Sequence, residues 1–197
     1  TITNSGTIKN TSYGVAIQFN GSTGVTFENT GTVESAAQVA VDFVDNVNPT
    51  LKNWGTIKST VDNSKVVDFG QTDSTGTGGT LENYGTIIAS TGSSGQAIRV
   101  GDGTATWDDL KIINSGTISS VGESVQVLGG SATSGLDITT KGDGTWTGEI
   151  YMEDAAVTMT LDCSISKDQD IEIEDKTNMV IVNNLCGNDT YEILDSS

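Results

Sequence analysis

Histidine is absent from this chain, arginine occurs once, at Arg99, and proline once, at Pro49. Without histidine, no serine or cysteine nucleophile can be paired with an imidazole base. The two cysteines, Cys163 and Cys186, cannot complete the usual structural zinc site on their own. No apolar run approaches the roughly 18 residues of a membrane-spanning helix, so no such span is expected. Basic residues number 9 against 26 acidic ones, a formal net charge of −17. That balance lacks the basic footprint on which nucleic-acid binding depends. It favours solubility and leaves room for Ca²⁺.

What the chain does have is a returning motif. Leu51-Lys-Asn53-Trp-Gly55-Thr56-Ile57 recurs as Ile2-x-Asn4-x-Gly6-Thr7-Ile8, Phe27-x-Asn29-x-Gly31-Thr32-Val33, Leu81-x-Asn83-x-Gly85-Thr86-Ile87 and Ile112-x-Asn114-x-Gly116-Thr117-Ile118. A fixed motif returning at this period marks a repeat architecture. In an extended chain the bracketing apolar residues share one face with the Asn and Gly. Asn and Gly tolerate positive φ, so Asn-x-Gly is expected to bend the strand. An inward Asn in each coil can hydrogen-bond its equivalents in the coils on either side.

A second element follows each motif: Val15–Phe19, Val39–Phe43, Lys65–Phe69, Gln96–Val100 and Glu123–Val127, each alternating apolar and polar residues. Gly-, Ser- and Thr-rich segments, such as Gln71 to Gly79, separate these elements and read as turns of variable length. The expected fold is all-β, a parallel β-solenoid of about five to six coils over residues 1–144. An antiparallel sandwich of short strands is the alternative, but it gives no reason to repeat Asn, Gly and Thr once per coil. From Leu136 the repeat decays; Thr140 takes the place of the Asn, and Gly144 that of the Ile. Residues 145–197 are expected to form an atypical β-rich cap or junction section. There, Cys163 and Cys186 suit an extracellular disulfide, with two inert buried thiols as the alternative.

No leader pattern stands ahead of the first motif, so the chain is expected to be a processed form or a fragment. No cap precedes the first coil either. An uncapped end needs cover, from a preceding coil or from a neighbouring copy, and the latter contact would build a filament.

The repeated Asn-x-Gly-Thr-Ile with its Gly/Ser/Thr filling resembles the passenger regions of bacterial autotransporters and related surface β-helix proteins, over roughly residues 1–144. The resemblance implies an exported, cell-surface or extracellular bacterial protein, serving as an adhesin, filament or layer component.

Candidate sites are few. The ladder residues Asn4, Asn29, Asn53, Asn83 and Asn114, with Gly6, Gly31, Gly55, Gly85 and Gly116, read as structural. The outward column Thr7, Thr32, Thr56, Thr86 and Thr117 could present an ice-binding array, but strand propensity and stacking explain it. Trp54 and Tyr84 share one outward position in successive coils and are expected to stack on the surface, where they suit sugar rings or another protein surface; Trp107 and Trp146 would extend that face. A second outward column holds Gln18, Asp42, Asp68, Arg99 and Gln126. Here Asp68 and Arg99 should form a surface ion pair of small worth, and Asp42 beside Asp68 is a weak Ca²⁺ candidate, as are the turns at Asp102 and Asp143. The same two aspartates lie at a plausible spot for a glycosidase pair, yet lyase-type sites need Arg or Lys to steady an anionic sugar, and Arg99 is the only arginine in the chain. No enzyme activity and no resident cofactor are expected. The leading expectation is a structural protein assembling through its ends, followed by a glycan-binding adhesin module and, distantly, a polysaccharide-degrading enzyme.

Overall fold

The computed structural model describes residues 1–70, 75–89, 95–102, 104–128 and 135–153, and the backbone of Val157–Leu161, Asp170–Glu174, Val180–Asn184 and Glu192–Asp195. Among the described residues there is no helix, and hence none long and apolar enough to cross a membrane. Every strand pairing is parallel, and the strands stack coil on coil into a β-solenoid of about 5 turns.

Three columns of strands build each coil. Column one is an 8-stranded sheet that begins Ile2–Asn4, Thr26–Asn29, Thr50–Asn53, Thr80–Asn83, Lys111–Asn114 and Leu136–Thr140. Its strands follow chain order because each coil returns once to the same place. Register follows the motif: Ile2 lies beside Phe27, which pairs with Leu51, and Leu81 joins Leu51 to Ile112. Column two holds Thr7–Asn10, Thr32–Ser35, Thr56–Ser59 and Thr86–Ile88; column three holds Ile17–Asn20, Val41–Val44, Lys65–Phe69 and Gln96–Val100.

The two later columns fuse along the 12-residue strand Thr117–Leu128, which continues both of them. The cause is a shrinking connection. The chain goes from Ile87 to Ile98 between the columns, then only from Ile118 to Val125, and finally from Trp146 to Ile150. A connection that short cannot leave the sheet. The strand therefore runs through and absorbs the mismatch as register shifts between Ser119, Glu123 and Val125.

Residue 144 marks the end of the motif, not of the pairing. Thr145–Glu153 lies parallel to Thr117–Leu128, and the four later strands extend the same two large sheets. The alignment of Gly144 with the motif Ile fails by two residues. Lys141–Gly144 forms a longer turn, Thr145 pairs with Thr117, and Trp146 fills the place opposite Ile118. Part of the supposed turn 71–79 is also a strand, Thr75–Thr77, paired with Thr106–Asp108.

Alternation puts one apolar row per column inside. Phe27, Leu51, Leu81 and Ile112 are fully buried from column one, and Val33, Ile57, Ile87 and Ile118 from column two. Column three adds an aromatic stack: Phe19 on Phe43 at 5.1 Å, Phe43 on Phe69 at 4.9 Å, and Trp107 edge-on to Phe69 at 5.2 Å. Stacked rings at the ~4.8 Å coil spacing gain offset π contact beyond their buried area.

Candidate functional site

The ladder is continuous. Asn4, Asn29 and Asn53 each donate Nδ2 to the next Oδ1 at 2.8 Å, and Asn83 donates to Asn114 at 2.9 Å. The second amide hydrogen goes to a column-two carbonyl: Thr32 at 3.2 Å, Thr56 at 3.3 Å, Thr86 and Thr117 both at 3.1 Å. Asn114, the last, donates to the Thr145 carbonyl at 2.9 Å. Thr140 takes over the inward place, and its Oγ1 accepts from Trp146 Nε1 at 2.7 Å. A one-directional amide chain in a dry interior strengthens each bond and leaves few polar groups unmet.

The bend at Asn-x-Gly is present, but positive φ is not what requires glycine. None of the five motif glycines lies in the left-handed region. A Cβ on Gly31, Gly55, Gly85 or Gly116 would instead fall under 3.0 Å from the carbonyl oxygen of the motif glycine one coil before. Close backbone approach between coils is the constraint. Gly6 meets nothing within 4 Å on that side.

Trp54 and Tyr84 do stack on the surface, their rings 5.5 Å apart and 9° from parallel, with 47% and 45% of each side chain's residue surface exposed. Tyr84 Oη donates to Glu82 at 2.8 Å, which raises the phenol's pKa, and Lys52 lies 3.9 Å from the same carboxylate. Trp107 and Trp146 do not join this face. Both are buried: Trp107 points into the core with Nε1 on the Gly78 carbonyl at 2.9 Å, and Gly76 leaves room for its ring.

The outward column of column three differs more sharply from expectation. Gln18, Asp42, Asp68, Arg99 and Gln126 are in register, yet Asp42 and Asp68 are fully buried. Gln18 Nε2 donates to Asp42 Oδ2 at 2.8 Å, while Asp42 Oδ1 has no partner. Burial pushes the Asp42 carboxyl up to about 6 despite that bond, and neighbouring Asp68 adds to the effect. Arg99 clamps Asp68 through Nε at 2.9 Å and a second nitrogen at 2.7 Å. The expected surface ion pair is thus a buried bidentate one, whose worth rests on geometry rather than on screened attraction. Burial raises the Asp68 carboxyl while Arg99 opposes the rise. With both Asp68 oxygens committed to Arg99, its own guanidinium is the cation in the column. Among the described residues no three His, Cys, Asp or Glu side chains converge as a metal group.

Two connections between columns two and three, around Gln38 and Asn63, line a half-open recess of about 320 Å³ together with Asp68 and Arg99. Lys65 lines it too. Sequence reasoning passed over Lys65, although a signal existed: the position that opens each second element is Val15 and Val39, then turns to Lys65, Gln96 and Glu123. On column two, Glu34 is gripped by Lys9 at 2.7 Å and Lys58 at 3.1 Å, which holds its carboxyl below the usual range. Cys163 and Cys186 lie outside the described residues. Comparison with known proteins gives no match to a family model, a curated protein or a solved structure.

Proposed function

We propose that the chain is a structural protein of an extracellular or bacterial surface, a β-solenoid that assembles end to end into a filament or layer. The observation that carries this is the repeated face between coils: one Asn ladder in one register joins every coil from Asn4 to Asn114, and the first described coil presents that same face. Ile2–Asn4, Thr7–Asn10 and Ile17–Asn20 each pair on one side only. Ile2 is 50% exposed where its partner Phe27 is wholly buried, and Asn4 Oδ1 accepts only from the Gly6 amide, at 3.2 Å. This edge carries the motif that every internal coil uses to accept a neighbour, and a parallel strand edge is a template for further strands. A coil docked there from another copy makes a heterologous contact that does not close. The likeness in repeat style to autotransporter passenger regions supports an exported setting.

Glycine 6 supplies the test. A methyl there touches nothing within the chain, but it would overlap the backbone of a coil docked as the internal coils dock. Light scattering and electron microscopy over a concentration series should show wild-type rods lengthening, and Gly6→Ala remaining single with an unchanged melting temperature. Rods of one length at every concentration, or assembly undiminished in Gly6→Ala, would refute the reading.

A second reading is a glycan-binding adhesin module, favoured by the half-exposed Trp54–Tyr84 stack beside Lys52 and Glu82. Loss of glycan-array signal in the Trp54→Ala, Tyr84→Ala double variant is its check. A polysaccharide-degrading role through Asp42 and Asp68 finds no support. Acid–base cleavage needs two carboxyl groups free to face a substrate, and here one is sealed from solvent while the other is held by Arg99.

A further inference from the structure

Lys65 is out of place in its own surroundings. It is half-buried on the wall of the recess, and among the described residues no carboxylate comes within 4.0 Å of its ammonium. Lys9, Lys52 and Lys58, by contrast, each lie within 4.0 Å of a glutamate, and Lys111 and Lys141, which have no such pair, are exposed to water. With 26 acidic residues against 9 basic ones, a carboxylate partner is easy to come by in this chain. The nearest strong candidate, Asp68, is spent on Arg99, and Asp62 lines the recess without reaching Lys65. Burial lowers the lysine pKa and Arg99 lowers it further, while the charges of Asp68 and Asp102 oppose the shift without a direct contact. A partly desolvated ammonium without a partner costs stability. Such a cost on the wall of a recess points to a site.

We propose that the recess binds a small sugar acid, with its carboxylate on Lys65 Nζ. The wall chemistry chooses a sugar over a bare anion: the exposed Gln38 and Asn63 offer amides to hydroxyl groups, while Ala37 adds a small apolar contact. The Asp68–Arg99 pair forms a fixed polar floor. A volume of about 320 Å³ is at the small end of ligand pockets, which suits a single hexuronate unit.

Calorimetric titration of the full chain with glucuronate, glucose and acetate tests this. Glucuronate should bind saturably and more weakly as salt rises, with glucose and acetate each at least about tenfold weaker. Lys65→Gln should abolish binding while leaving the melting temperature unchanged or higher, because an unpaired cation has gone. Lys65→Arg, which keeps the charge, should retain binding and covers the case in which Lys65→Gln folds poorly. Equal binding of acetate would make this a general anion site and overturn the sugar. Equal binding of glucose, an undiminished Lys65→Gln, loss of binding in a folded Lys65→Arg, or no saturable signal would overturn the proposal.

Discussion

Replacing Asp42 by Asn should stabilise this protein at neutral pH and do almost nothing at pH 4. In the folded state Asp42 is fully buried, with Oδ2 on Gln18 and Oδ1 unpartnered. The carboxyl rises from 3.8 to about 6, chiefly through burial. The sign follows directly. A raised folded-state pKa means that the folded protein holds the proton more tightly than the unfolded chain does. Its contribution to stability is complete below the unfolded value and is lost as pH climbs through about 6. A rise of this size corresponds to about 3 kcal/mol between pH 4 and pH 7.5. Asparagine keeps the shape, still accepts from Gln18 through its carbonyl, and has no charge to desolvate. Urea unfolding followed by circular dichroism at pH 4, 6 and 7.5 reads the difference between variant and wild type. Taking that difference cancels Glu34 and the other carboxylates, which titrate in both proteins. The gap should open from near zero to about 3 kcal/mol across this range. A gap that does not change with pH, or a variant less stable than wild type at pH 7.5, would refute the buried-charge reasoning.

Gly55→Ala should cost about 3 kcal/mol, because its methyl overlaps the Gly31 carbonyl and the coils must part to admit it; Gly6→Ala should stay within about 0.5 kcal/mol in the same thermal melts. Asn53→Ala leaves Asn29 without its acceptor and Asn83 Oδ1 without its Asn53 donor, so chemical unfolding should show a loss of about 3 kcal/mol. Phe43→Ala opens the middle of the ring stack and should lose about 4 kcal/mol by the same measurement. For the cysteines, mass measurement with alkylation before and after reduction should find no free thiol in native protein; two free thiols would remove the Cys163–Cys186 bridge.

The inward half of this molecule was legible in the sequence. Asn29, Asn53 and Asn83 are neighbours in register as the motif required, and Ile17, Val41, Val67, Ile98 and Val125 line up as the centres of the second elements. The outward half was legible in part: the Trp54–Tyr84 surface stack and the Asp68–Arg99 pairing were expected and found, the latter buried rather than exposed. Trp107, Trp146 and Asp42 were placed on the surface by their position in the chain and proved buried. Lys65 was passed over because a lysine at the start of a strand is ordinarily solvated.

The physical reason is the way a solenoid specifies itself. An inward side chain meets its own equivalents one coil away, so a single recurring pattern states both its burial and its partners, and register follows from composition alone. Alternation says only that an outward side chain leaves the core. Whether it then meets water depends on where the connections between columns lie, and those around Gln38 and Asn63 flank the recess at Asp68 and Arg99 without any repeat to announce it. The glycines divide along the same line: the chain showed that each coil has one, and only the stacked backbones showed that the next carbonyl leaves no room for a methyl.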